Sequence, residues 1–272
     1  MLFALVGFVA EAQVVSPAPS PAATVSTVVG LTEVKVEYSR PKAKGRKIYG
    51  DLVPFGQVWR TGANSGSRVT FGDDVMVGGT NVPKGTYLLL TIPGATEWTL
   101  ILYKDVSIGG DMSAYDKSKD AARVTVKADK LTEKVETFTI EISDLSENSK
   151  TANLQIMWEN TSVKMPITVD FDSKVMKSIE ASTKVNPNNL FQAGVYYFES
   201  GKDINQAYKW VSEAATANPN AYWIWYQKAR IQKAMGDKKG AMESATASKA
   251  AAEKEKNMDY VKLNVDLMSG LK

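Results

Sequence analysis

Between residues 24 and 170 the chain alternates polar and apolar residues with a period of two, and after Phe171 it stops doing so. This one change of period constrains the fold more than any other feature. The alternation is clear in 33–38 (Glu-Val-Lys-Val-Glu-Tyr), 123–127, 136–143 and 151–158. Such a pattern describes strands with one wet face. Segments 68–71, 75–77, 86–92 and 98–103 read as further strands, the last two apolar enough to be central. Glycine and proline clusters such as Gly78-Gly79, Pro83-Lys84-Gly85 and Pro93-Gly94 punctuate them. About nine or ten short strands with no intervening helices predict an antiparallel, all-β sandwich over 24–170. The last strand, 162–170, contains Pro166, which predicts a place at the sheet margin or a bulge.

Beyond Phe171 the grammar is helical. Segments 174–183, 188–200, 204–217, 221–235 and 239–256 read as helices, and 257–271 as a capping helix with Val261, Val265 and Met268 on one face. Asp203 and Ala207 recur as Asp237 and Ala241, and Phe191 recurs as Trp225. A period of about 34 residues with helix-turn-helix grammar resembles the tetratricopeptide repeat. Two repeats fit, 188–221 and 222–255. Trp225 takes the aromatic place, Ala229 the small one, and Ala207 and Ala241 the close-packing place. Glu253 stands where the second repeat should carry the proline that Pro219 supplies in the first. The region 171–272 is therefore expected to be an all-α, helical-repeat tail.

Composition removes much chemistry. The chain has neither histidine nor cysteine. That excludes Ser-His-Asp and Cys-His nucleophilic sites and nearly every zinc, copper or haem arrangement. Carboxylate pairs, Ser-Lys pairs, Arg or Tyr sites and oxygen-ligated cations remain. No cofactor and no metal are implied. With 33 basic and 30 acidic side chains, the net charge of +3 is too balanced for a nucleic-acid binder.

The segment 38–64 packs Gly, Pro, Arg, Lys and Trp between two strands, so its shape is set by turn residues. Its run Trp59-Arg-Thr-Gly-Ala-Asn64, with Tyr38-Ser-Arg-Pro41 ahead of it, resembles the signature of the domain-of-unknown-function 2911 family. The resemblance covers about 16–170 and implies a cell-envelope protein of Bacteroidetes-type bacteria. It implies no chemistry, because the family has none established. The family usually places an acidic residue after the Asn; Ser65 stands there, which weakens any carboxylate chemistry centred on this loop.

Arg40, Lys42, Lys44, Arg46, Lys47 and Arg60 gather six cations in this segment, with Asp51 nearby. They could hold a planar anion through Arg, or Arg60 could instead pair with a buried carboxylate and lock the loop. The candidate ligand-binding set is Tyr38, Arg40, Arg46, Arg60 and Asn64, expected to converge at one end of the sandwich. Trp59 reads more simply as a core plug. Asp111, Asp116 and Asp120 offer oxygens for Ca²⁺, but their spacing fits no EF-hand and a surface loop is the plainer reading. Tyr222, Trp225 and Tyr226 share a helix face and read as core between repeats.

Residues 2–9 are apolar and are followed by Ala10-Glu11-Ala12 and Gln13, a signal-peptidase pattern without its basic n-region. The expected organisation is a signal peptide at 1–12 and a Pro-rich linker at 13–23, giving a periplasmic or secreted protein with no membrane span. Two function classes follow. One is a non-catalytic module that recognises a glycan or anionic small molecule through 38–64, with a protein partner on the helical tail. The other is a hydrolase using two carboxylates or an Arg-lined anion pocket, for which this composition leaves few routes.

Overall fold

A computed structural model describes residues 16–182 and 187–271. The expected signal peptide, and the part of the Pro-rich linker before Ser16, lie outside the described residues. The chain divides into two compact units at Phe171/Asp172.

The first unit is an antiparallel β-sandwich. One sheet takes β1 (Ala22–Val29), β2 (Thr32–Ser39), β3 (Ser67–Phe71), β6 (Gly85–Ile92), β7 (Glu97–Tyr103) and β8 (Asp120–Lys127), in that spatial order. The second takes β5 (Thr80–Val82), β4 (Val75–Val77), β10 (Thr151–Val169) and β9 (Asp129–Ser143). Alternation in β2 translates directly into burial: Val34, Val36 and Tyr38 face the core while Glu33 and Glu37 face water. Between the sheets lie Val69, Phe71, Leu89 and Leu102 from one side and Phe138, Ile156, Trp158 and Ile167 from the other. Gly78 and Gly79, both with positive φ, join β4 to β5 in the two-residue turn that demands left-handed backbone at both positions.

β6 and β7 are interior strands, as their composition predicts, and they are buried on both faces. Leu88, Leu90, Ile101 and Tyr103 form a second cluster on the outer face of the large sheet. Val106, Ile108, Met112 and Tyr115, from the segment that links β7 to β8, cover it.

The expectation for the last strand needs correcting. β10 lies between β4 and β9 and is not at the sheet margin. Pro166 is accommodated because it falls outside both registers. Pairing with β9 ends at Ser162, and pairing with β4 begins at Ile167. No ladder hydrogen bond is needed from the position that lacks an N–H. β10 also carries register shifts on either side of Glu159, a residue with φ 55°.

The second unit holds six helices among the described residues: α1 (Asp172–Ser182), α2 (Pro187–Glu199), α3 (Ile204–Ala217), α4 (Tyr222–Ala234), α5 (Lys238–Lys254) and α6 (Met258–Ser269). Their N-termini explain the recurring acids. Asp203 caps α3 by accepting from the N–H groups of Asn205 and Gln206, and Asp237 caps α5 by accepting from Gly240 N–H. Ala207 and Ala241 are both fully buried, where a larger side chain would hold the helices apart. Trp225 joins the cluster built on Ala207, Val211 and Ile224, while Tyr222 and Tyr226 meet Tyr260 of α6 edge to face. The three aromatics at helical spacing therefore serve two interfaces, because α4 is packed on more than one side. No helix among the described residues is long and apolar enough to cross a membrane.

Candidate functional site

The run from Trp59 to Asn64 makes a tight corner. Trp59 exchanges both backbone hydrogen bonds with Thr91, which ties the segment to β6. Then Thr61 (φ 53°), Gly62 (φ 135°) and Asn64 (φ 57°) all adopt positive φ. A β-branched residue in the left-handed region is a genuine outlier, held only where its surroundings over-determine it. Thr61 is fully buried; its hydroxyl donates to Thr91 Oγ1 at 3.0 Å, and Ser67 Oγ donates to its carbonyl. Asn64 tolerates the conformation well and donates from Nδ2 to Ser39 Oγ at 3.0 Å.

Arg60, within this corner, lines a cavity of about 430 Å³. Lys42, Lys44 and Arg46 share its wall, with Trp59 and Trp158 beside them. The two indoles are stacked, 6.1 Å apart and 15° from parallel. Among the described residues no Asp or Glu lines the cavity, and none of the four cations makes an ion pair. The nearby acids are turned to other work. Glu136 accepts from Lys44 N–H at 2.7 Å, and Glu159 accepts from Ile48 N–H at 3.4 Å.

The two arginines in the wall are not equivalent. Arg46 donates from Nε to Ala43 O (2.9 Å) and from Nη2 to Lys42 O (2.7 Å), so one edge of its fork is spent on its own turn. Arg60 forms no hydrogen bond from its guanidinium to a described residue, and its Nε is buried without a partner. The expected alternative, a lock between Arg60 and a buried carboxylate, is not formed among the described residues. A buried donor left unpaired costs about 1–3 kcal/mol, more when charged, unless something else meets it.

The five residues expected to converge are only partly brought together. Arg46 and Arg60 share the cavity. Asn64 stands at its margin, since Gly62 and Ala63 line the wall and Asn64 Nδ2 also reaches Ser20 O at 3.5 Å. Tyr38 is buried; its hydroxyl donates to Ile140 O at 3.1 Å and its ring meets Phe138 edge-on, so it presents no stacking face. Arg40 clamps β9, donating to Phe138 O at 3.3 Å and to Thr139 Oγ1 at 3.1 Å. Both face the opposite sheet because the alternation that buries Tyr38 also brings the segment alongside β9. Sequence reasoning missed Trp158 and the Pro19-Ser20 wall, neither of which is close to the loop in sequence. Trp59 is both things at once, a partly buried member of the aromatic core and a cavity wall.

The acidic segment is structural. Asp105, Asp111 and Asp116 each accept from the N–H of the serine two residues on, capping successive 3₁₀ turns. The hydrogen bond from Lys119, with those from Ser107, holds the Asp105 carboxyl down at about 2. Its contribution to the loop is thus present above the ordinary carboxylate range and is lost as pH falls through about 2. Asp120 pairs with Arg123 at 2.8 Å and accepts from Tyr115. Among the described residues no group of three acidic side chains is placed to hold a metal ion. A larger, open depression of about 920 Å³ in the helical unit is lined by the turns before α4 and α6, including Tyr222, the exposed Trp223 and Met258.

No curated protein matches the chain. The family described as Protein of unknown function (DUF2911) matches residues 20–167, a span that takes in the corner, the cationic wall and most of the sandwich, and the chain belongs to that family.

Proposed function

We propose that this protein is a non-catalytic binding module whose Arg60 cavity takes an anionic ligand, either a small anion or the acid group of a glycan. One observation carries the reading: Arg60, whose Nε is buried without a partner among the described residues, lines a cavity with three further cations and, among the described residues, no carboxylate. An oxyanion would meet that donor, and the Lys42 and Lys44 charges would favour its approach at low salt. Two converging carboxylates, the arrangement a hydrolase of this composition needs, do not line the cavity.

The test is a titration of the full chain with sulfate, phosphate and glucuronate, followed by calorimetry. Arg60→Ala should weaken the best of these about 10- to 100-fold, the worth of one charge-assisted hydrogen bond or two. Unfolding stability should not fall by the several kcal/mol that loss of a buried ion pair costs, since no protein partner is lost and a buried, unpaired donor is removed. Binding that is indifferent to Arg60→Ala, or absent in the native chain, refutes the reading.

Export and partner docking belong to the same proposal. The apolar run before Ala10-Glu11-Ala12 supports a periplasmic or secreted protein. N-terminal sequencing from the envelope fraction should find a chain starting at or near Gln13; an intact Met1 on cytosolic protein contradicts this. The paired helices, with Asp203/Asp237 caps and buried Ala207/Ala241 at matching places, support a tetratricopeptide-like scaffold for a protein partner, by fold-level analogy.

A further inference from the structure

The segment that closes the Arg60 cavity with Leu52 and Val53 borders a second one with Tyr49 and Phe55. This second cavity measures about 280 Å³ and lies where the β6–β7 turn, the β8–β9 junction and the irregular stretch of β10 meet. Tyr49 and Trp98 form its apolar side, their rings 4.6 Å apart and edge to face. Phe55 stands at the mouth and is 44% exposed. Its position is built in: a Cβ on Gly50 (φ 82°) would come within 2.6 Å of the Phe55 ring, so only glycine lets the ring settle there. The polar side comprises Asn160 and Thr161, which follow the register shift at Glu159. Bulges recur beside binding sites because they re-aim side chains.

One atom in this arrangement is unexplained by the fold. Tyr49 is 8% exposed, and its hydroxyl is buried with no hydrogen-bond partner among the described residues. Burial, and after it the Glu159 charge, pushes its ionisation upward, so the group keeps its proton and stays a donor. Charge in this wall is nearly balanced. Asp129 and Lys130 are its ionic groups, and Asp129 already lies 3.4 Å from Lys127.

We propose that this cavity binds an uncharged pyranose ring, a site distinct from the Arg60 cavity and independent of the reading given for it. A pyranose has an apolar C–H face and a rim of hydroxyls. Aromatic walls fit the first, while the Tyr49 hydroxyl, Asn160 and Thr161 fit the second. A charged ligand would meet one Asp and one Lys here, in place of the four cations of the other cavity.

The experiment titrates the full chain with methyl α-glucopyranoside, methyl α-mannopyranoside and N-acetylglucosamine, to about 50 mM because single rings bind weakly. Saturation-transfer NMR and tryptophan fluorescence follow binding. At least one sugar should saturate. Tyr49→Phe should weaken it about 3- to 10-fold without lowering Tm, because the hydroxyl removed has no protein partner. Phe55→Ala should also weaken it, whereas Arg60→Ala should leave it unchanged. Failure of all three sugars to saturate overturns the proposal and leaves a water as the hydroxyl's partner. So does binding that ignores both Tyr49→Phe and Phe55→Ala, or binding that is lost in Arg60→Ala.

Discussion

Replacing Trp158 with alanine is expected to cost the sandwich about 3–5 kcal/mol. The indole is 2% exposed and sits against Trp59 at 6.1 Å, Phe138 at 5.6 Å and Tyr49 at 6.3 Å, so its removal leaves a void between rings that cannot all move inward. It also leaves Glu136 O without the indole N–H that reaches it at 3.2 Å. Trp158→Phe keeps most of the volume and should cost markedly less. The measurement is urea unfolding of the full chain, with the sheet and helical transitions followed by separate probes because the two compact units need not unfold together. A loss below about 1 kcal/mol for the alanine variant would show that the cluster collapses around the gap, contrary to this account. Since Trp158 also lines the Arg60 cavity, the same variant should bind anions more weakly even where it remains folded.

The second large effect has the opposite sign from what helix propensity suggests. Gly194 lies inside α2, where alanine would ordinarily gain about 0.8–1.0 kcal/mol. A Cβ there would sit 2.5 Å from Val211 Cγ2 and 3.0 Å from Ala207 O, both on α3. The valine is β-branched and stiff at χ1, and the carbonyl belongs to a helix, so neither yields cheaply. Gly194→Ala should therefore destabilise the helical unit by about 1–3 kcal/mol, the usual range for overpacking. Helical ellipticity during urea unfolding reads this directly. A more stable variant would mean that α2 and α3 can separate without loss, and the close packing inferred from Gly194 and Ala207 would be wrong.

Much of the fold was legible because period is a local property. Alternation in 33–38 names the face of β2 that is buried, whatever it is buried against. The interior place of β6 and β7 was legible in 86–92 and 98–103 through an excess of apolar residues, while their burial on both faces emerged from the structure. The helices were legible from their helical grammar and the recurrence of Asp203 and Ala207 as Asp237 and Ala241; the structure adds that Asp203, Asp237 and Asn257 cap them, each meeting an N–H two or three residues away. Pro166 shows where such reasoning stops. Its missing donor was read correctly, but the place of β10 in the sheet depended on where two partner strands begin and end.

The candidate site divides along the same line. By itself the sequence determined that 38–64 is a glycine- and proline-shaped loop rich in cations, that the chain belongs with proteins carrying this signature, and that imidazole and thiol chemistry are absent. These follow from residue identity and short-range backbone preference. Only the tertiary structure decided which cations face the same space. Arg40 and Arg60 look alike in sequence, yet one is spent on carbonyl and hydroxyl oxygens of β9 while the other is left with a buried, unpaired donor. The difference arises because hydrogen-bond satisfaction depends on partners roughly a hundred residues away, brought near by sheet packing that no local pattern encodes.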